Sequence, residues 1–333
     1  MSAPSWAATA QGLGTTRPTR SAHAGEEKLV THERLLELAR DVGVGLQENA
    51  SLAPLTRLSI GGPTPALLTP QRVDQVQPLL RGLHSLGLSP RWLGAGSNLL
   101  IDDRGVPEPV VCTARLRREP QLEGGDRVRV SAGTALPGFT RWLVSHGLCG
   151  LEFAEGIPGS IGGAVTMNAG AFEGSVGKHT VRVILIHPDG RKQEHDVQPE
   201  DFSYRRSVFS SMGALVLEAV FLLKEGDPEE LGRTLETYRS HRRQTQPLSE
   251  ESAGCIFRNP LEGPSAGSLI DRCGLKGRRR GNAEISPVHA NFIVNRGGAT
   301  SADARALIEE VKEQVQRQTG VLLQEEVRVW SRS

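Results

Sequence analysis

Between Lys28 and Leu46 apolar residues recur at helical spacing (Leu29, Leu35, Leu36, Leu38), which predicts an opening helix. Ile60-Gly61-Gly62-Pro63 breaks that pattern and introduces a strand, Ala66-Leu67-Leu68-Thr69. Val73 to Leu86 reads as a second helix, with Pro78 ending or displacing its first turn because proline lacks the helical N–H. Trp92-Leu93 is a strand running into a glycine loop. This β-α-β order predicts a small sheet covered by helix.

Beyond Asp103 the apolar runs shorten. Pro109-Val110-Val111, Arg127 to Val130 and Val181 to Ile186 are β-like, separated by turns such as Gly124-Gly125-Asp126 and Pro188-Asp189-Gly190. Phe139 to His146 is the helix expected between them, and Ala214 to Leu223 a further strand, giving a mixed α+β middle third. Pro228 to His241 is a charged amphipathic helix. Leu269-Ile270, Asn291 to Asn295 and Val327 to Val329 read as strands. Ser301 to Thr319 is a helix capped by Ser301, with Asp303 in its first turn and Ala306, Ile308, Val311 and Val315 on its apolar face.

Two glycine segments sit inside this apolar sequence: Gly94-Ala95-Gly96-Ser97-Asn98-Leu99, and Gly150 to Ala171. The second is too apolar for a linker and too rich in glycine for an ordinary helix or strand. Glycine lets backbone lie directly against a ligand, and successive free N–H groups form a nest for phosphate oxygens. A Rossmann site needs GxGxxG, and the first segment lacks the third glycine. Neither segment ends in the Gly-Lys-Ser/Thr of a Walker loop. On spacing alone, a phosphate nest and two ordinary tight turns remain equally open.

Composition narrows the class. The 333 residues suit two or three domains. With 39 basic and 38 acidic side chains, net +1, nothing advertises a nucleic-acid or anionic-membrane surface. Only Lys276-Gly277-Arg278-Arg279-Arg280 is locally basic, either a solvated loop or a diphosphate neighbour. Cys112, Cys149, Cys255 and Cys273 form no CxxC pair, zinc spacing or disulfide framework, which fits a reducing cytoplasm and no metal. No apolar run approaches the ~20 residues that cross a bilayer. Met1 to about Glu26 lacks an apolar h-region, so a disordered tail is expected over 1–27 rather than a signal peptide.

Both glycine loops, in this order, resemble the flavin-binding domain of vanillyl-alcohol-oxidase-type flavoproteins. The span from about Asn49 to Trp330 is similar to the UDP-N-acetylenolpyruvoylglucosamine reductase family. The resemblance rests on Thr56 to Gly62, Leu93 to Leu100, Gly156 to Gly163 with Met167 to Ala171, and Tyr204 to Phe209. It continues through Ser252 to Pro260, Ala266 to Asp271, Gly274 to Gly277, and Glu325-Glu326-Val327. The compact stretch from Arg205 to Gly254 has no long inserted tyrosine-bearing loop and resembles the shorter subtype.

The resemblance implies an α+β fold: a two-lobed FAD-binding module, 28–102 and 103–226, and a substrate-binding C-terminal domain, 227–333. It implies non-covalent FAD, NADPH as reductant, and reduction of UDP-N-acetylglucosamine enolpyruvate to UDP-N-acetylmuramate by a cytoplasmic monomer. The cofactor residues implied are Gly94, Ala95, Gly96, Ser97, Asn98, Leu99, Gly156, Ile157, Pro158, Gly159, Ser160, Gly162, Gly163, Asn168, Ala169 and Gly170. Arg205 matches the catalytic arginine, able to clamp a carboxylate without losing its charge. Glu326, favoured over Glu325 by the Glu-Val order, matches the catalytic acid. Cys255 stands where the family usually carries a proton-donating serine; an unperturbed thiol, pKa ~8.5, is a stronger acid than an alcohol. Tyr204, Asn259 and Arg242, with Arg243 beside it, are candidates for holding the nucleotide sugar. Asn259 equally suits a turn before Pro260. Two other readings stay open: another oxidoreductase on the same flavin domain, and a flavin-free nucleotide-sugar binder that has lost catalysis.

Overall fold

A four-stranded sheet, ordered Gly45–Ser51, Pro63–Thr69, Val110–Cys112, Arg91–Leu93, forms the first lobe. This structure, a computed structural model, describes residues 32–332, so the tail expected over 1–27 lies outside the described residues. The first strand pair is antiparallel and the other two are parallel. Helix α1, over 32–42, and α2 (Val76–Ser85) cover the sheet, α2 burying Val76, Leu79, Leu80 and Leu83. The turn Val73–Gln75 is 3-10, and α2 begins after it, leaving Pro78 in the first turn, where its missing N–H is tolerated.

The second lobe is a five-stranded antiparallel sheet ordered Lys192–Asp196, Thr180–Ile186, Leu215–Leu222, Arg127–Ser131, Gln121–Leu122. Helix α3 (Leu136–Ser145) packs Leu136, Phe139 and Leu143 into its core. The glycine run, expected to be neither helix nor strand, contains α4 (Ile161–Thr166). Its glycines serve close packing: a Cβ on Gly162 would stand 2.9 Å from Ala132 Cβ and 3.2 Å from Val216 O. Tertiary fit overrides propensity there. Helix α5 (Pro228–Thr245) was expected to open the third domain. It lies instead against α3 and the turn Glu152–Ala154, with Arg239 Nη2 2.9 Å from Glu155 Oε1.

The third lobe is an antiparallel sheet, Glu251–Cys255, Phe292–Asn295, Ala283–Ile285, Arg279–Arg280, with α6 (Ala266–Arg272) and α7 (Ser301–Thr319). Leu269-Ile270, read as a strand, lies within α6. Ser265 caps that helix by accepting the Ser268 N–H at 3.2 Å, and two adjacent apolar residues carry no period to distinguish the alternatives. The cap of α7 is Thr300, not Ser301. The Ser301 hydroxyl donates to Asp103 Oδ2 at 2.7 Å, and its N–H to Oδ1 at 2.8 Å; Asp103 belongs with the first lobe, whose sheet includes Val110–Cys112 and so runs past the boundary expected at 102.

The last strand, Arg328–Trp330, returns to the first lobe and pairs in parallel with Leu99–Ile101. Leu58, Ile60 and Leu100 share one core with Ala253, Ile256, Phe257 and Val311. First and third lobes are therefore packed together, and the mouth of the glycine loops faces the third lobe.

Candidate active site

The two glycine loops close on each other. A Cβ on Gly94 would stand 2.7 Å from Ser160 Oγ, and one on Gly159 3.4 Å from Ser97 Oγ. Gly96 has φ +61°, and any side chain there would overlap Leu55 O. The N–H groups of Ala95, Gly96, Ser97 and Asn98 find no acceptor among the described residues. Ser160 Oγ is buried with no partner. Unfilled donors in a row, a buried hydroxyl and side-chain-free backbone fit the phosphates of a dinucleotide such as FAD. The cavity they line measures about 1190 Å³, and its wall includes Gly94 to Leu99, Gly156 to Ser160, Gly162, Gly163, Ala169 and Gly170.

Asn168, expected among these, stands outside that wall. Its amide is engaged elsewhere, Nδ2 donating to Ser203 O at 2.8 Å and Oδ1 accepting the Gly177 N–H at 3.0 Å. Those bonds hold it beneath the hairpin of Phe202–Ser203 and Arg206–Ser207, whose two-residue tip is Tyr204-Arg205. Arg205 has φ +57°, a left-handed conformation uncommon for a residue with a side chain. Such an outlier points to function rather than stability.

Three separate segments bring Arg205, Cys255 and Glu326 to one wall of the cavity. The N–H of Glu326 donates to Ile256 O at 2.7 Å, so the acid is tied to the residue after Cys255. Alternation along the chain separates the two neighbouring glutamates. Glu325 turns to Lys312 Nζ at 3.0 Å, whereas Glu326 Oε1 is 3.0 Å from Arg205 Nε. That last contact is an ion pair without a closed hydrogen bond, because the Nε hydrogen finds no acceptor. The pair is poised and geometrically unsatisfied.

Burial pushes the Cys255 thiol up to about 12, and the Glu326 charge adds to this; Arg205 and Arg242 pull the other way. From sequence an unperturbed thiol is expected. Here the thiol is a weaker acid than assumed, yet it is fully protonated at neutral pH. Glu326 is likewise raised by burial, against the pull of Arg205 and Arg258. Both groups are held toward the form that carries a proton.

Arg242, 6 % exposed, lines the same cavity, and its Nε is buried without a partner. Burial lowers its pKa. Arg243 instead points to solvent and pairs with Glu236. Tyr204 and Asn259 line a second cavity of about 770 Å³ that adjoins the first at Arg205. Asn259 Oδ1 also accepts the Ala266 N–H at 3.0 Å, the turn role open to it from sequence. The basic run lines neither cavity: Lys276 meets Asp271, Arg279 meets Glu284, and Arg278 and Arg280 both meet Glu310. It is a charge-paired surface.

Sequence reasoning passed over Arg258, His241 and Arg328. His241 and Arg328 stand on the cavity wall. Arg258 is close enough to Glu326 to lower its pKa, and its own Nε is buried and unpartnered. A signal existed for Arg328: two residues after Glu326 in an extended segment, it shares that residue's face. Among the described residues, no group of three metal-ligating side chains comes together, and no helix is long and apolar enough to cross a membrane.

Residues 64–195 match the family described as an FAD binding domain, and residues 246–330 the UDP-N-acetylenolpyruvoylglucosamine reductase C-terminal domain. A UDP-N-acetylenolpyruvoylglucosamine reductase of Synechococcus sp. (strain CC9311) is 42% identical over 306 residues, 90% of this chain and 97% of that protein. The enzyme so named from Halalkalibacterium halodurans is 37% identical over 296 residues, 89% of this chain and 98% of its own. The crystal structure of UDP-N-acetylenolpyruvylglucosamine reductase from Thermus caldophilus superposes with a TM-score of 0.73 at 37% identity, over 86% of this chain and 98% of that one.

Proposed function

The chain belongs to the UDP-N-acetylenolpyruvoylglucosamine reductase family, and on that premise we propose how its own residues carry the reaction. It is an FAD-dependent oxidoreductase of peptidoglycan precursor synthesis, reducing UDP-N-acetylglucosamine enolpyruvate to UDP-N-acetylmuramate. The chemistry that FAD supplies between the loops is two-electron transfer from NADPH to the enolpyruvyl double bond. Gly94 to Leu99 and Gly156 to Gly163 hold it non-covalently through main chain and Ser160.

As the new C–H bond forms at the β-carbon, electron density moves onto the substrate carboxylate. A fixed cation beside those oxygens lowers the barrier, and Arg205 is the guanidinium placed for it. Glu326, kept toward its neutral form by burial, donates a hydrogen bond to the same developing charge. Cys255 then delivers its proton to the α-carbon. Arg205 and Arg242, which both favour the thiolate, stabilise the anion left behind. Tyr204, Asn259 and Arg242 grip the nucleotide sugar where the two cavities meet. Gln246 is the more natural start of the substrate lobe, since α5 packs on the second. Four unpaired cysteines suit a reducing cytoplasm, where we place the enzyme as a monomer.

The convergence of Arg205, Cys255 and Glu326 on the glycine-loop cavity carries this reading. An anaerobic two-step titration tests it. NADPH is expected to bleach a yellow protein, and UDP-N-acetylglucosamine enolpyruvate to restore the colour with one equivalent of product. A bleached protein that the substrate leaves unchanged would overturn the assignment.

A further inference from the structure

An asparagine stands at or just beyond the end of each glycine loop, and each sends its side-chain amide to a carbonyl next to the ion pair. Asn98 Nδ2 donates to Glu326 O at 3.1 Å, and Asn98 O accepts the Arg328 N–H at 3.0 Å. One residue of the first loop thus grips the backbone at the acid's carbonyl and just after it, while Ile256 O holds its N–H. Asn168 Nδ2 donates to Ser203 O at 2.8 Å, two residues before Arg205. Its Oδ1 takes the Gly177 N–H at 3.0 Å, which fixes the orientation of the amide. Ser207 Oγ donates to Thr166 O at 2.7 Å and pins the other arm of the same hairpin.

We propose that Asn98 and Asn168 are positioning residues, Asn98 setting Glu326 and Asn168 setting Arg205, so that the two loops fix the geometry of the acid–arginine pair. The proposal rests on the catalytic reading of that pair given above. Asparagine suits both places physically. Its amide is short, donates and accepts at once, and tolerates the φ of +47° found at Asn168. An aspartate keeps the shape but has no N–H to offer, and sets a carboxylate against a carbonyl oxygen. The contact at 3.0 Å between Arg205 and Glu326 leaves little slack, so a small shift of either backbone alters how charge is shared.

Asn98→Asp and Asn168→Asp test this, with Asn98→Ala and Asn168→Gly as second variants where a buried carboxylate prevents folding. Hydrogen exchange on the flavin-free protein comes first, because it needs no catalysis. The expected result is faster exchange in 324–330 but not 201–208 for the Asn98 variants, and the reverse for Asn168. In the loaded enzyme, losing one part-buried hydrogen bond should slow single-turnover substrate reduction roughly 10- to 100-fold, read at saturating FAD. That loss should vanish when Asn98→Asp is combined with Glu326→Gln. The alkaline limb of the reduction step should also move to higher pH, because a loosened Arg205 no longer pulls the Glu326 pKa down. Unchanged exchange, or an equal rate loss in the Glu326→Gln background, overturns the positioning role. Full activity of Glu326→Gln alone would overturn the catalytic reading instead, which keeps the two failures apart.

Discussion

Cys255 shows what a burial environment does to a reactive side chain. With its thiol at about 12, the thiolate is roughly one part in ten thousand at pH 8, by the spacing of pH and pKa. From sequence, a free thiol beside the substrate leads one to expect ready alkylation by iodoacetamide with protection by bound substrate. With the thiol raised by burial, inactivation should be slow at neutral pH and climb about tenfold per pH unit through pH 10. A plateau below pH 9 in a plot of inactivation rate against pH would contradict the burial argument. Replacing the proposed proton donor is the sharper probe. Cys255→Ala should leave flavin bleaching intact and slow substrate reduction by about 10²–10⁴, while Cys255→Ser keeps useful activity. Normal turnover of Cys255→Ala, followed by NADPH absorbance, would remove Cys255 from the mechanism. Glu326 adds a pH sign of its own. In the role proposed for it the carboxyl works protonated, so substrate reduction should fall as pH rises through its raised pKa. In Arg205→Met that fall should shift to higher pH, because the group that lowers the pKa is gone.

Among the elements, the glycine loops matter most, and they were also the most legible in the chain. Their composition announced close backbone approach, and the structure shows what is approached: Leu55 O behind Gly96, Ser160 beside Gly94. Gly96→Ala adds a left-handed penalty to a steric overlap and should cost roughly 2–4 kcal/mol, read as lower thermal stability and lost flavin absorbance after gel filtration. An unaltered spectrum and melting temperature would mean that the loop can yield. Long periodic elements, α2 and α7, were readable because the 3.6-residue repeat extends over several turns. Short ones were not. Leu269-Ile270 in α6 and the glycines of α4 take their conformation from Ser265, Ala132 and Val216, contacts that no local pattern contains. The left-handed φ of Arg205 was invisible for the same reason. It follows from a hairpin tip whose register is set by Phe202 against Ser207.

At the scale of the whole molecule, the first and third lobes are joined by a shared core, by the pairing of Arg328–Trp330 with Leu99–Ile101, and by polar contacts that include Asp103 on the N-terminus of α7. The family resemblance placed the candidate residues along the chain, but it could not show that the Ser301 side chain would turn to Asp103 rather than cap its own helix. Asp103→Ala should cost about 1–2 kcal/mol, the scale of a lost helix cap, and lower the melting temperature while leaving flavin bleaching by NADPH intact. Equal melting temperatures for the two proteins would mean that Asp103 contributes nothing to holding the lobes together.

The pairing of Arg328–Trp330 with Leu99–Ile101 has a consequence for how the enzyme is made. Asn98 and Glu326, hydrogen-bonded in the finished fold, are separated by 228 positions. On the ribosome the first glycine loop emerges 228 positions before the residue whose backbone it anchors. A nascent chain arrested before Glu326 can gather most of its cofactor cradle and still hold no acid opposite the arginine. The acid–arginine pair therefore closes only when the strand that follows Glu326 docks on Leu99–Ile101.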